Sequence, residues 1–438
     1  MTLATPITVI RGRFLDIQKT VAQANQIADQ VRYLEDGVLI TEQGKIRWFG
    51  TWNDAQDHLP INIEIQHYPE QLIIPGMIDT HIHFPQTEMV GAYGEQLLSW
   101  LNTYTFPTEI QFKNKAYASE IAKFFVNELL KNGTTTALVF CTVHPESVDA
   151  LFEAAEQHQM RLIAGKVMMD RHAPEALCDS ADSSYDDSKA LIEKWHGQGR
   201  ALYAITPRFA PTSTPEQLER AGQLKAEHPD VYVHTHLSEN KDEIAWVKDL
   251  FPAQKGYLDV YHHYGLTGQR SVFAHCVHLE DAEWQCMHET DSAIAFCPTS
   301  NLFLGSGLFP LNKTWQQQVK VGLGTDVGAG TSFSLLQTVN EAYKVQQLQG
   351  DKLSAYESLY HATIGGAKAL DLDDKLGNFN VGKEADFVVL NIKPTALQQL
   401  RQSRSKSLED SLFALFTMGD DRNVEATYIY GQKAYSQS

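Results

Sequence analysis

Eight short apolar or β-branched runs, separated by stretches of helical periodicity, limit what this chain can fold into. They occupy residues 73–83, 134–140, 161–169, 202–209, 231–237, 271–277, 293–297 and 319–325. Between them, residues 116–130 repeat apolar side chains at intervals of three and four. Residues 215–225 begin with Pro215 at a first helical position, after Thr214 as a candidate N-cap. Strand and helix in regular alternation fit an open doubly wound sheet or a (β/α)8 barrel. Eight runs within residues 73–376, a span with room for insertions, favour the barrel. Outside it the texture is strand alone: residues 7–10, a hairpin of 37–41 and 45–49, then 385–390 and 424–430.

Composition narrows the class further. Of 438 residues, 43% are hydrophobic and 21% charged, which is ordinary for a globular chain and excludes disordered, collagen-like and disulfide-scaffold proteins. No apolar run is long enough to span a bilayer. The first residues lack a basic segment before an apolar core, so no signal peptide is expected. Five cysteines, an odd number without C-x-x-C spacing, point to a reducing, cytoplasmic setting and away from a cysteine-zinc cluster. A net charge of −18 with no local basic stripe argues against nucleic-acid and anionic-membrane partners.

The ends of the runs carry the chemistry. His81 and His83 end the first, His234 and His236 the fifth (with Glu239 just beyond), His275 the sixth and Asp326 the eighth. Strand residues two apart share a face, so His81 and His83 can reach one ion. In a barrel all of these sit at the C-terminal mouth, where barrel enzymes place their reactive groups. Three imidazoles and a carboxylate suit zinc, with iron as the usual competitor. Taken singly, each residue also fits a packing role, as His144, His158, His262, His263 and His361 do. Four run ends bearing the right residue types in order are not what packing produces.

The order H-x-H, H-x-x-E, His, Asp resembles the amidohydrolase superfamily and, within it, the guanine deaminase family. The matching motifs are PGMIDTHIHFPQ at 75–86, GKVMMD at 165–170, TPRFA at 206–210, THLSE at 235–239, GTDV at 324–327 and GDDRN at 419–423. The resemblance covers most of the chain and implies a distorted (β/α)8 TIM-type barrel over residues 73–376. Residues 1–72 and 377–438 would pair into a small β-sandwich.

It also implies a zinc-dependent hydrolase that converts guanine to xanthine and ammonia, working as a cytoplasmic homodimer. One Zn²⁺ per chain would be held by His81, His83, His236 and Asp326. Glu239, His275 and Asp326 would be catalytic: Glu239 shuttles a proton, and His275 orients the attacking oxygen. Gln86, Arg208 and Phe209 would hold guanine, with His236 and Glu239 also touching it. Residues 91–109, carrying Tyr93, Trp100, Tyr104 and Phe106, would form either a lid or a subunit contact. One departure from the family pattern is His172, where a small amide is expected. Two neighbouring chemistries remain open on the residues alone. One is deamination of another aminoheterocycle; the other is a two-metal ring-opening site bridged by a carbamylated Lys166.

Overall fold

The computed structural model describes residues 7–93 and 97–437. Strands β1 (Ile7–Ile17), β2 (Val31–Glu42), β3 (Lys45–Thr51) and β4 (Ile65–Pro75) come first. A second series follows: β5 (Met77–His83), β6 (Thr134–Phe140), β7 (Arg161–Gly165), β8 (Val167–Met168), β9 (Leu202–Pro207) and β10 (Tyr232–Leu237). It continues through β11 (Ser271–His275), β12 (Ala293–Phe296) and β13 (Lys320–Leu323), before β14 (Phe387–Leu390), β15 (Val424–Ile429) and β16 (Gln432–Ser436).

Neighbours in the order β5-β6-β7-β9-β10-β11-β12-β13 all pair in parallel. Helices cover such strands outside and side chains fill them inside, so their sequences read as continuous apolar runs. Every residue of β6 is buried, for example. The ring closes where its last and first strands meet. Asp326 N donates to His81 O at 2.9 Å, His83 N to Val327 O at 2.9 Å, and Thr80 Oγ1 to Leu323 O at 3.0 Å. Closure separates a TIM barrel from the open sheet that alternation alone permits. At its N-terminal end the barrel is plugged by Ile78, Leu138, Ile163 and Val272 packed against Leu370, Leu372 and Leu376. The pocket is therefore left to the C-terminal end.

Two runs differ from the sequence reading. Residues 73–83 are not one strand, because Ile73, Ile74 and Pro75 end β4 and pair with β14. Gly76 makes the break, since a Cβ there would meet Thr135 Oγ1 at 2.0 Å. The third run divides at Lys166 into β7 and β8, the latter pairing β9. The expected helices are present. Lys115–Lys131 starts at Asn114, whose side chain accepts from Ala116 N, and Pro215–Glu227 starts at Thr214, which accepts from Gln217 N.

The terminal segments form one seven-stranded sheet, ordered β16-β15-β14-β4-β1-β2-β3. It folds over on itself: Ala385 N donates to Gly44 O and Ile46 N to Lys383 O, both at 2.8 Å. Phe14, Leu39, Phe379, Phe387 and Tyr428 fill the space between its halves, which gives the expected sandwich from a single sheet. No helix among the described residues is long and apolar enough to cross a membrane.

Buried charges tie the sheet to the barrel. Arg200 donates to Glu384 Oε2 at 2.6 Å and to both carboxylate oxygens of Asp386, while Arg161 holds Glu384 from the other side at 2.5 Å. Arg200→Ala leaves Asp386 almost fully buried without its cation, a loss on the order of 3–5 kcal/mol. Urea unfolding is expected to show that deficit; a change under about 1 kcal/mol would mean the charges do not hold the two parts together.

Candidate active site

The closing seam places the acidic corner of the site. Asp79 is fully buried and accepts from Thr325 Oγ1 at 2.5 Å, Thr325 N at 3.1 Å and His81 N at 3.1 Å. This clamps residues 324–327 beside β5 and turns the Asp326 carboxylate toward His81 and His83. The Asp326 Oδ1 atom lies 3.2 Å from His81 Nε2 and 3.3 Å from His83 Nε2. Asp326 (φ 51°) and His275 (φ 72°) have left-handed backbones, a strained setting for non-glycine residues that recurs where side chains must be aimed.

Imidazole nitrogens meet head to head. His83 Nε2 lies 3.2 Å from both His81 Nε2 and His236 Nε2. Burial pushes His83 down to about 3 and lowers His81, and it drives His236 well below its ordinary value. The rings are therefore neutral, each with one bare lone pair. Their outer nitrogens decide which one. His236 Nδ1 donates to Arg208 O at 2.6 Å, and His81 Nδ1 is 2.7 Å from His234 Nε2. The carbonyl partner fixes the His236 tautomer and leaves its inner nitrogen a donor to metal. Donor atoms of His81, His83 and His236 lie within 4.8 Å of one another, and those of His81, His275 and Asp326 form a second such group. Converging lone pairs repel unless a cation sits among them, so three nitrogens and an oxygen fit a metal ion.

Phe140 makes the floor apolar, with ring centroids 4.7 Å from His83, 4.4 Å from His234 and 4.6 Å from His236. Above it opens a pocket lined by Gln86, Trp100, Arg208, Phe209, Glu239 and Ala329. His275 and Glu239 stand on one side. His275 Nδ1 faces Asn301 Oδ1 at 2.9 Å, and its Nε2 lies 3.6 Å from Glu239 Oε2 and 3.8 Å from Asp326 Oδ2. Burial, helped by the nearby Asp326 charge, raises Glu239 to about 8, while Ser306 Oγ donates to its Oε1 at 3.0 Å. Every site residue expected from the sequence except His81 lines this pocket, and His81 lies just beneath.

The substrate-side residues are more engaged than expected. Arg208 Nη1 donates to both oxygens of buried Glu109, at 3.0 and 2.8 Å. Gln86 donates to Glu109 Oε1 at 3.3 Å and accepts from Gly328 N at 3.2 Å. Phe209 lines the wall as anticipated, joined by Leu97, Trp100 and Leu101. Of the 91–109 segment, Leu97, Trp100 and Leu101 thus stand against the pocket, and residues 94–96 lie outside the described residues.

Lys166 pairs with Asp179 and is not among the residues that line the pocket. His172 has φ 52° and donates Nδ1–H to Pro211 O at 2.7 Å. A left-handed position tolerates asparagine well, which accounts for the small amide expected there. Unforeseen in the sequence were Asp79, Phe140, Glu109, Asn301 and Ser306, along with any role for His234. Only His234 carried a signal, since it lies two residues before His236 on the same strand face.

A closed parallel barrel with histidines and an aspartate converging at its C-terminal mouth defines a metal-dependent hydrolase of the TIM-barrel type. The chain belongs to the amidohydrolase family, which residues 72–434 match. It is 61% identical over 432 residues to the guanine deaminase of Escherichia coli K12, covering 99% of this chain and 98% of that one. The solved structure of E. coli guanine deaminase superposes with a TM-score of 0.96 at 60% identity, covering 99% of this chain and all of the other. Guanine deaminase from C. acetobutylicum, solved with guanine in its active site, gives a TM-score of 0.88 at 30% identity, covering 98% of this chain and all of that one.

One charge effect is open to measurement. Burial raises Glu243 from 4.5 to about 7, with the neighbouring Glu239 adding to it. Between those values the folded protein keeps a proton that the unfolded chain has released. Raising the pH across that window therefore removes stability, by roughly 3 kcal/mol in full. Metal-free protein is expected to lose resistance to denaturant over this range, and Glu243→Gln to lose less. Identical pH dependence in the two proteins would contradict the assignment.

Proposed function

We propose that this chain is a guanine deaminase, hydrolysing guanine to xanthine and ammonia with one zinc ion held by His81, His83, His236 and Asp326. The observation that carries the metal assignment is the convergence of three neutral imidazole nitrogens and a carboxylate oxygen on a dry floor. When bound, the ion supplies the Lewis acidity that makes hydroxide available near neutral pH.

The chain's own residues do the rest. Glu239 takes a proton from the attacking water as oxygen adds to the ring carbon bearing the amine. It delivers that proton to the adjoining ring nitrogen, then carries the second proton, from the hydroxyl now on the tetrahedral carbon, to the amine as the carbon–nitrogen bond breaks and that oxygen becomes the product carbonyl. A carboxyl raised to about 8 by burial can both hold and release a proton near neutrality. His275, steadied by Asn301, orients the attacking oxygen and stabilises charge at the tetrahedral carbon together with Asp326. Arg208 and Gln86 meet the purine carbonyl and its neighbouring ring atoms, and Phe209 flanks the ring face.

In this reading the chemistry belongs to residues 73–376 and the terminal segments 1–72 and 377–438 are supporting structure; all pocket-lining residues lie between 83 and 329. Residues 97–109 act as the pocket's cover, supported by Leu97, Trp100 and Leu101 in its lining. The resemblance to guanine deaminases further implies a homodimer. A cytoplasmic location fits the five unpaired cysteines.

Purified protein given guanine, with xanthine, ammonia and bound metal all measured, tests the reading. His83→Ala is expected to lose metal and activity together. Glu239→Gln is expected to keep its metal while turnover falls by at least ~100-fold. A His83→Ala protein with full metal content, or a Glu239→Gln protein near normal turnover, would contradict these roles.

A further inference from the structure

Glu109 is a buried acid behind the pocket residues Arg208 and Gln86, and neither the metal nor the proton transfer uses it. It is fully buried, and its Oε1 receives hydrogen bonds from both Arg208 Nη1 (3.0 Å) and Gln86 Nε2 (3.3 Å). Its Oε2 takes a second bond from the same Arg208 nitrogen at 2.8 Å. Among the described residues, Glu109 is the only hydrogen-bond partner of the Arg208 guanidinium, which also lies over the Phe106 ring at 5.7 Å. Glu109 ends the short helix Phe106–Glu109, so the contact also joins the pocket's cover to the barrel.

From this arrangement we propose that Glu109 sets the charge of the recognition corner, so that the pocket takes a neutral purine and disfavours an anionic one. The inference rests on guanine being the substrate. An unpaired guanidinium in a dry pocket is an anion receptor, since it attracts carboxylate-like and deprotonated groups strongly. Guanine is neutral and offers a guanidinium its carbonyl oxygen, not a full negative charge. The product has one carbonyl more and gives up a ring proton more readily. Pairing Arg208 with Glu109 keeps N–H groups available to a carbonyl while cancelling the net charge that would hold an anion. Glu109 is thus a positioning and specificity residue acting through Arg208 and Gln86, not a group that touches the reacting atoms.

Glu109→Gln preserves size and leaves Arg208 without its counter-charge. Binding of xanthine and of hypoxanthine to the metal-loaded protein is measured by calorimetry, below and above the pH at which xanthine ionises. Hypoxanthine serves as the neutral purine bearing the same carbonyl. The expected result is xanthine-anion affinity at least ~10-fold higher than in the wild type, with hypoxanthine binding no tighter. In the same variant, kcat/KM for guanine is expected to fall ~10-fold or more as Gln86 and Arg208 lose their anchor. Arg208→Gln leaves Glu109 as the unpaired charge and is expected to shift the anion-to-neutral ratio the opposite way, giving a readout even where Glu109→Gln folds poorly. Parallel weakening of both ligands, or a ratio unchanged in both variants, would overturn the proposal and leave Glu109 a structural residue. Wild-type turnover of guanine tests the underlying reading separately, because the binding ratio requires no turnover.

Discussion

Closure of the barrel between β5 and residues 324–327 is the constraint on which the site depends. The two backbone bonds from Asp326 N and to Val327 O, reinforced by Asp79 and Thr325, set the first and last strands side by side. Only with that seam formed does the Asp326 carboxylate reach the nitrogens of His81 and His83. The same bonds that complete the fold therefore complete the donor set. This explains why a buried, costly carboxyl such as Asp79, raised to about 7 by burial, sits under the seam: it receives three hydrogen bonds that pin the one junction lacking a regular strand pair.

Much of this was legible in the sequence because the barrel and its chemistry each impose a local signature. Strands buried on both faces must be apolar throughout, and helices around them must show a three-to-four period. Ligands must stand at strand ends, which put His81, His83, His236, His275 and Asp326 within reach of one another. What stayed hidden depends on contacts between distant segments. Phe140 is an ordinary apolar strand residue until four histidine rings are seen packed around it. Glu109 lies ninety-nine residues from Arg208, and nothing local marks it as that residue's partner. The break at Gly76 was hidden for a similar reason, because both sides are apolar strand and only the nearness of Thr135 requires glycine.

The site separates its charges by depth. On the floor, burial strips protons from the imidazoles and leaves lone pairs for a cation. Midway, burial raises Glu239 to about 8, bringing a carboxyl into the range where it can accept and return a proton near neutrality. At the substrate end, Arg208 and Glu109 cancel one another, so a neutral ring meets hydrogen-bond donors without a net field. Desolvation is common to the first two, with opposite results for a base and for an acid. Leu97, Trp100 and Leu101 add apolar wall beside the groups that depend on burial.

The central claim is that one metal ion, set among these histidines and Asp326, makes the chain a guanine deaminase. It is tested most directly by removing metal with a chelator and restoring zinc in measured steps while xanthine formation from guanine is followed. The stripped protein is expected to show no turnover, with a linear return on added zinc and a plateau at one ion per chain. Turnover without metal, or a plateau only at two ions per chain, would contradict it.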